Sequence, residues 1–162
     1  MTDSTALYSR VGDAKAFKVV HEHFDLLLKI IADRRGTLVK TIGDAVMAAF
    51  VEERDAVGAA IEMLERFPTF RGGLPEAGRT FLKVGVYAGP CYVVTANGIL
   101  DYFGQTVNLA ARLQGLAADG ELVLGDTPGR SPPEGFTVEE RFEATLKGII
   151  GSTAALRLRL GR

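Results

Sequence analysis

Thr37-Leu38-Val39-Lys40-Thr41-Ile42-Gly43-Asp44-Ala45-Val46-Met47-Ala48-Ala49-Phe50-Val51 holds two strand-like segments, 37–42 and 45–51, on either side of Gly43-Asp44. β-branched residues crowd the first segment and the pair between them permits a tight turn, so the stretch predicts a β-hairpin. Amphipathic helices flank it. Upstream, Phe17, Val20, Phe24, Leu27, Leu28 and Ile31 recur at helical spacing over 14–35, and Gly36 is expected to stop that helix. Downstream, Val57, Ala60, Ile61 and Leu64 line one face of a helix over 54–67. The Pro- and Gly-rich stretch 68–78 is expected to end it as a surface loop.

Working further outward, 81–87 and 91–95 read as strands separated by Gly89-Pro90, and Asn97-Gly98 marks a tight turn into a strand over 99–103. A third helix is predicted over 106–117, with Val107, Ala110, Ala111 and Leu113 toward the core, then a short strand over 121–124 and a loop over 125–135. Leu156, Leu158 and Leu160 alternate with Arg157 and Arg159, one apolar and one wet face, as expected of an outer strand. Helices interleaved with hairpins, without strict βαβ repeats, imply an α+β sandwich: a mostly antiparallel sheet covered by helices. No internal repeat or low-complexity segment interrupts it.

Composition narrows what such a chain can do. Its 162 residues suit one domain, 1–162, with a core that needs no metal or disulfide staple. With 47% hydrophobic residues, 24% charged and a net charge of −1, no bulk field attracts nucleic acid or a membrane, and any phosphate site must be local. Cys91 is the single cysteine and no Cys/His set has zinc-ligand spacing, so a reducing cytoplasm is the expected setting. The longest apolar runs, such as 45–51, fall far short of the roughly 20 residues that span a bilayer. No signal-peptide core opens the chain, and no membrane contact is expected of this domain. No Gly-x-x-x-x-Gly-Lys-Ser/Thr segment is present, which sets aside a P-loop NTPase.

Two clusters can carry chemistry. Lys40-Thr41-Ile42-Gly43-Asp44 places a hard carboxylate at a turn and a lysine on the strand leading into it. Such a carboxylate suits Mg²⁺, which takes one or two protein carboxylates and fills its shell with phosphate and water. Gly-Asp is also a common pair in ordinary hairpin turns. In Asp101-Tyr102-Phe103-Gly104-Gln105-Thr106-Val107-Asn108-Leu109-Ala110-Ala111-Arg112, Asn108 and Arg112 stand four apart. On a helix they offer an amide and a guanidinium to one ligand, the guanidinium fork matching phosphate oxygens. The same pair could equally line a solvated face. His21 and His23 lack acidic or Cys partners at ligand spacing and read as structural.

Taken together, the clusters resemble a known family. Val39 to Ala48 and Gly104 to Leu113 are similar to the two signature segments of class III adenylyl and guanylyl cyclases. Val84-Gly85-Val86-Tyr87-Ala88-Gly89-Pro90 resembles the family's central strand and its Gly-Pro exit, and Leu146-Lys147-Gly148 matches its last motif. The likeness runs in order from about Ser4 to Leu160. It implies a ferredoxin-like α/β sandwich and the conversion of ATP to cyclic AMP at the interface of a homodimer.

Residue by residue, the resemblance implies that Asp44 is one of two aspartates binding two Mg²⁺ or Mn²⁺ ions per site. Asn108 and Arg112 would steady the ribose and the α-phosphate, and Lys147 the terminal phosphates. Lys40 and Asp101 fall at the base-selecting positions, where a physical check applies. Adenine presents an acceptor at N1 and a donor at its 6-amino group. Lysine only donates and carboxylate only accepts, so the pair complements adenine, whereas guanine sets like against like. ATP is therefore favoured over GTP. The family further implies composite sites, the aspartates from one protomer and the remaining groups from the other, and fusion to regulatory domains.

The pattern departs at the start. The family domain opens with a buried strand ending in the first metal aspartate, then a turn and a Ser-Thr or Phe-Thr pair. Here Met1-Thr2-Asp3-Ser4-Thr5 leaves almost no strand, and Asp3 stands about three residues too close to Ser4-Thr5. Either residues of the native protein precede this sequence and Asp3 is the ligand, or the metal site is damaged. Loss of a central strand would leave open sheet edges, which favours the first. The alternative is a degenerate cyclase-homology domain that dimerises or binds nucleotide to regulate another protein.

Overall fold

The computed structural model describes residues 4–72, 80–96, 98–127 and 130–161. Its contacts divide the chain into two compact units, Met1–Leu82 and Lys83–Arg162.

In the first unit, α1 (Ser4–Val11) meets α2 (Asp13–Asp33) at Gly12, whose φ of +80° costs a glycine little. The sequence reading had no helix over 4–11. Leu7 anchors it by packing with Ala16 and Val19, and Phe70 closes over them. The buried stripe of α2 is Ala16, Val19, His23, Leu27, Ile30 and Ile31, rotated from the expected face, so that Phe17 is left exposed. A histidine in mid-stripe hides that face from a hydrophobicity count.

α2 ends differently from the expected Gly36 stop. Arg35 takes the left-handed conformation, φ +61°. The amides of Arg35 and Gly36 return to the carbonyls of Ala32 at 3.0 Å and Ile31 at 2.8 Å, the double bond of a Schellman cap. Glycine is needed at 36 for space, since a Cβ there would lie 2.3 Å from the Phe50 ring. Arg35 also pairs with Asp55 at 2.6 Å, and Arg34 with Glu62 at 2.8 Å, tying the cap to α3 (Glu53–Gly72).

β1 (Thr37–Ile42) and β2 (Ala45–Ala49) form the expected antiparallel hairpin, Ile42 opposite Ala45, with a bulge between Leu38 and Lys40. α3 runs to Gly72 with Pro68 inside it, although that proline was expected to end the helix. Phe67, buried against His23, and Phe70 stand on either side of it. Burying Phe67 and half-burying Phe70 outweighs the one amide bond that proline removes.

In the second unit, β3 (Val84–Val86), β6 (Glu121–Gly125), β7 (Phe136–Ala144) and β8 (Thr153–Leu160) form one sheet in the order β3-β6-β8-β7. β3 and β6 are parallel and the other pairs antiparallel. β4 (Tyr92–Ala96) and β5 (Ile99–Phe103) make a separate hairpin, and α4 (Gln105–Leu116) follows. β3 is shorter than the expected 81–87 because its ladder is confined to the residues facing 122–124 of β6. β7 was not anticipated from sequence.

β8 is no outer strand, for it is paired on both sides. Alternation reports which face is covered, and a central strand with one apolar face shows it as well as an edge strand does. The arginines between its leucines have partners: Arg159 pairs with buried Glu121, and Arg157 lies 3.7 Å from both Glu121 and Glu140 and over the Phe142 ring. The core of this unit joins Leu109, Leu113 and Ala117 to Val123, Ala144, Leu146 and Ala155. Helices packed on antiparallel-rich sheets make the fold α+β, as the sequence implied.

Candidate active site

The turn that carries Asp44 is a two-residue hairpin loop. Gly43 takes φ +61° and Asp44 does not share that region, the arrangement of a type II′ turn with glycine at its first central position. Asp44 is half-buried. Its backbone carbonyl accepts a hydrogen bond from His23 Nε2 of α2 at 3.3 Å. Burial pushes the His23 pKa from 6.5 down to about 4, so the ring is neutral near pH 7. Lys40 sits just past the bulge of β1, exposed; bulges re-aim the side chains that follow them.

In the second unit, α4 lies with its backbone against β3. A Cβ on Gly85 would come within 2.2 Å of the Gln114 amide nitrogen and 2.6 Å of the Ala110 carbonyl oxygen, so only glycine permits this approach. Thr106 Oγ1 donates to the Pro90 carbonyl at 2.6 Å and fixes the start of the helix. Leu109 and Leu113 are buried beneath α4, which leaves Asn108 and Arg112, one turn apart, exposed on the neighbouring face. Asp101 lies on β5 opposite Val94, half-buried, with Oδ1 accepting the Tyr102 amide at 2.8 Å. Lys147 occupies the corner of a turn closed by the Ile149 amide on the Leu146 carbonyl at 3.0 Å, with Gly148 at φ +82°. That is a type II turn: buried Leu146 anchors it and Lys147 projects exposed.

The family model of the adenylate and guanylate cyclase catalytic domain matches residues 1–157. The chain belongs to this family. An adenylate cyclase of Streptomyces coelicolor is 34% identical over 123 residues, 76% of this chain and 29% of that protein. Across the curated relatives it matches, the chain spans between 17% and 30% of their length. Among solved structures, a guanylyl cyclase superposes with a TM-score of 0.83 at 16% identity, covering 99% of this chain and 89% of that one. The adenylyl cyclase CyaB from P. aeruginosa superposes with a TM-score of 0.77 at 19% identity, covering 99% and 90%. At those identities the two structures establish the fold.

The cyclase domain distributes its motif residues between the two units: Lys40 and Asp44 lie in the first, and Asp101, Asn108, Arg112 and Lys147 in the second. Asn108 and Arg112 share one helix face. Asp3, the other expected aspartate, lies outside the described residues. No group of three His, Cys, Asp or Glu side chains gathers to hold a metal among the described residues. A carboxylate on a tight turn fits Mg²⁺ bound jointly by protein and phosphate. Sequence reasoning missed the part His23 plays at this turn, because contact across 21 residues leaves no mark in local spacing. His21, expected to lack an acidic partner at ligand spacing, has one in Asp25, a turn further along α2, in an exposed pair at 3.1 Å. No described helix is long and apolar enough to cross a membrane.

Proposed function

We propose that this cyclase domain is an adenylyl cyclase, a cytoplasmic homodimer that converts ATP to 3′,5′-cyclic AMP and pyrophosphate. The observation that carries the reading is the chemistry of Lys40 and Asp101. One can only donate and the other can only accept, which complements the N1 and 6-amino edge of adenine and opposes guanine. A wrong base would leave each partner facing its like, which sharpens the discrimination.

In the reaction the ribose 3′-oxygen bonds to the α-phosphorus while the bond from that phosphorus to the bridging oxygen of pyrophosphate breaks. The hydroxyl proton passes to solvent. Arg112 would meet the negative charge that grows on the α-phosphate oxygens, and Asn108 would hold the ribose so that its 3′-oxygen lies in line. Lys147 would bind the terminal phosphates and stabilise the departing pyrophosphate. Asp44, with Asp3, would hold two divalent ions, Mg²⁺ or Mn²⁺, which when bound acidify the 3′-hydroxyl and neutralise the leaving group.

Each site would be composite, the aspartates from one protomer and the base-, ribose- and phosphate-binding groups from the other. The β4-β5 hairpin supports an intermolecular partner: Tyr92, Val93, Val94, Leu100 and Phe103 are all exposed large apolar residues on it. The match to between 17% and 30% of longer relatives supports fusion to regulatory domains.

The test is product formation from ATP and from GTP, with Mg²⁺ or Mn²⁺, comparing this chain with Asp44→Ala. Cyclic AMP from ATP alone, lost in the variant, is the expected result. No product from folded, dimeric protein would overturn it and favour a regulatory cyclase-homology module; cyclic GMP would overturn the base assignment.

A further inference from the structure

We infer that His23 is a positioning residue for Asp44: from the core of α2 its Nε2–H fixes the backbone carbonyl of the hairpin turn, and so the origin of the carboxylate. The inference rests on the reading of Asp44 as a metal ligand. In a two-residue hairpin loop the carbonyl of the second loop residue takes no part in the ladder, so Asp44 needs an acceptor's partner from elsewhere. His23 reaches it at 3.3 Å across 21 residues of sequence. A carbonyl can only accept, so the proton sits on Nε2 and the tautomer is set.

The ring itself cannot move far. It is fully buried, with the Phe24 ring at 5.5 Å and the Phe67 ring edge-on at 5.7 Å. Neighbouring Val19 and Leu27 complete the buried stripe of α2. The hydrogen bond therefore couples the turn to the rigid packing of α2 and α3. Elsewhere the hairpin rests on its own strand pairing and on the packing of β1 and β2 against α2, and the β1 residues are largely exposed.

An imidazole is an expensive choice for this place. Burial opposes its protonation, the Asp44 carbonyl is its hydrogen-bond acceptor, and Nδ1 finds no partner among the described residues. A leucine would fill the stripe without that cost. Departures from the apolar pattern of this kind concentrate where a site must be held.

The test uses the full chain and four variants: His23→Gln, whose amide nitrogen reaches where Nε2 lies; His23→Asn, equally polar but too short; His23→Phe, of similar shape without a donor; and Asp44→Asn. Mn²⁺ binding in the presence of 3′-deoxy-ATP, which cannot cyclise, is followed by electron paramagnetic resonance, with thermal melting of each variant in parallel. His23→Phe and His23→Asn should weaken Mn²⁺ roughly tenfold, about what one lost positioning hydrogen bond allows, and lower kcat alike with KM for ATP little changed. His23→Gln should restore most of both, even where its melting temperature matches that of His23→Asn. Should His23→Phe fail to fold, the Gln and Asn pair decides. Mn²⁺ binding that is weakened in Asp44→Asn but equal in His23→Gln, His23→Asn and the unaltered chain would overturn the positioning role alone. Unaltered binding in Asp44→Asn would overturn the metal reading and the inference with it.

Discussion

Arg112 makes its proposed contribution where charge develops, on an exposed helix face whose neighbouring leucines are locked in the core. Its removal should therefore act on the transition state. Arg112→Ala is expected to lower kcat by roughly 100-fold with KM for ATP changed by no more than about threefold; steady-state kinetics showing equal losses in binding and turnover would contradict that assignment. His23 makes a second residue-scale statement, about stability. Its folded pKa of about 4 lies below the unfolded value of 6.5, so between those values the unfolded chain binds more protons. Stability is full above about pH 6.5 and falls as pH drops toward 4, by on the order of 3 kcal/mol in all. Urea midpoints across that range should decline for the unaltered chain and decline less for His23→Gln; parallel slopes would mean that burial of the ring is not the source.

At the scale of elements, backbone contact matters more than side-chain chemistry. α4 presents Asn108 and Arg112 because it lies directly on β3, and Gly85 is the residue that allows it. Gly85→Ala would push a methyl into the helix backbone, where nothing flexible can yield. A loss of about 2–4 kcal/mol is expected from such overpacking, read as a lower melting temperature, together with reduced turnover as α4 shifts. Turnover preserved at a clearly lower melting temperature would show that α4 keeps its place. The β6-β8 pair is held otherwise: Glu121, buried, accepts the Ala118 amide at 2.7 Å and pairs with Arg159. Arg157 and Arg159 looked like a solvated face in sequence and are instead the partners of a buried carboxylate, whose lone charge would be costly without them.

For the whole molecule, the proposed composite sites would make activity a property of the pair of chains. Specific activity should fall on dilution through the dimer dissociation constant and recover on reconcentration. Activity that stays constant per milligram while sedimentation shows monomers would refute shared sites. The exposed apolar residues of the β4-β5 hairpin belong to the same argument, since burying them between chains removes from water what each chain alone leaves wet.

The sequence by itself determined the β1-β2 hairpin, the three long helices and the α+β class, because periodicity and turn chemistry act over a few residues. It also placed Lys40, Asp44, Asp101, Asn108, Arg112 and Lys147 in motifs, since the spacing of a motif is itself local. Only the tertiary structure decided that α1 forms, that α3 continues through Pro68, that β8 is central, and that His23 reaches across to Asp44. In each case the deciding energy comes from residues distant in sequence: Leu7 on Ala16, Phe67 on His23, β7 against β8, imidazole on carbonyl. Such contacts exist only once the chain has closed on itself, and no local pattern encodes them.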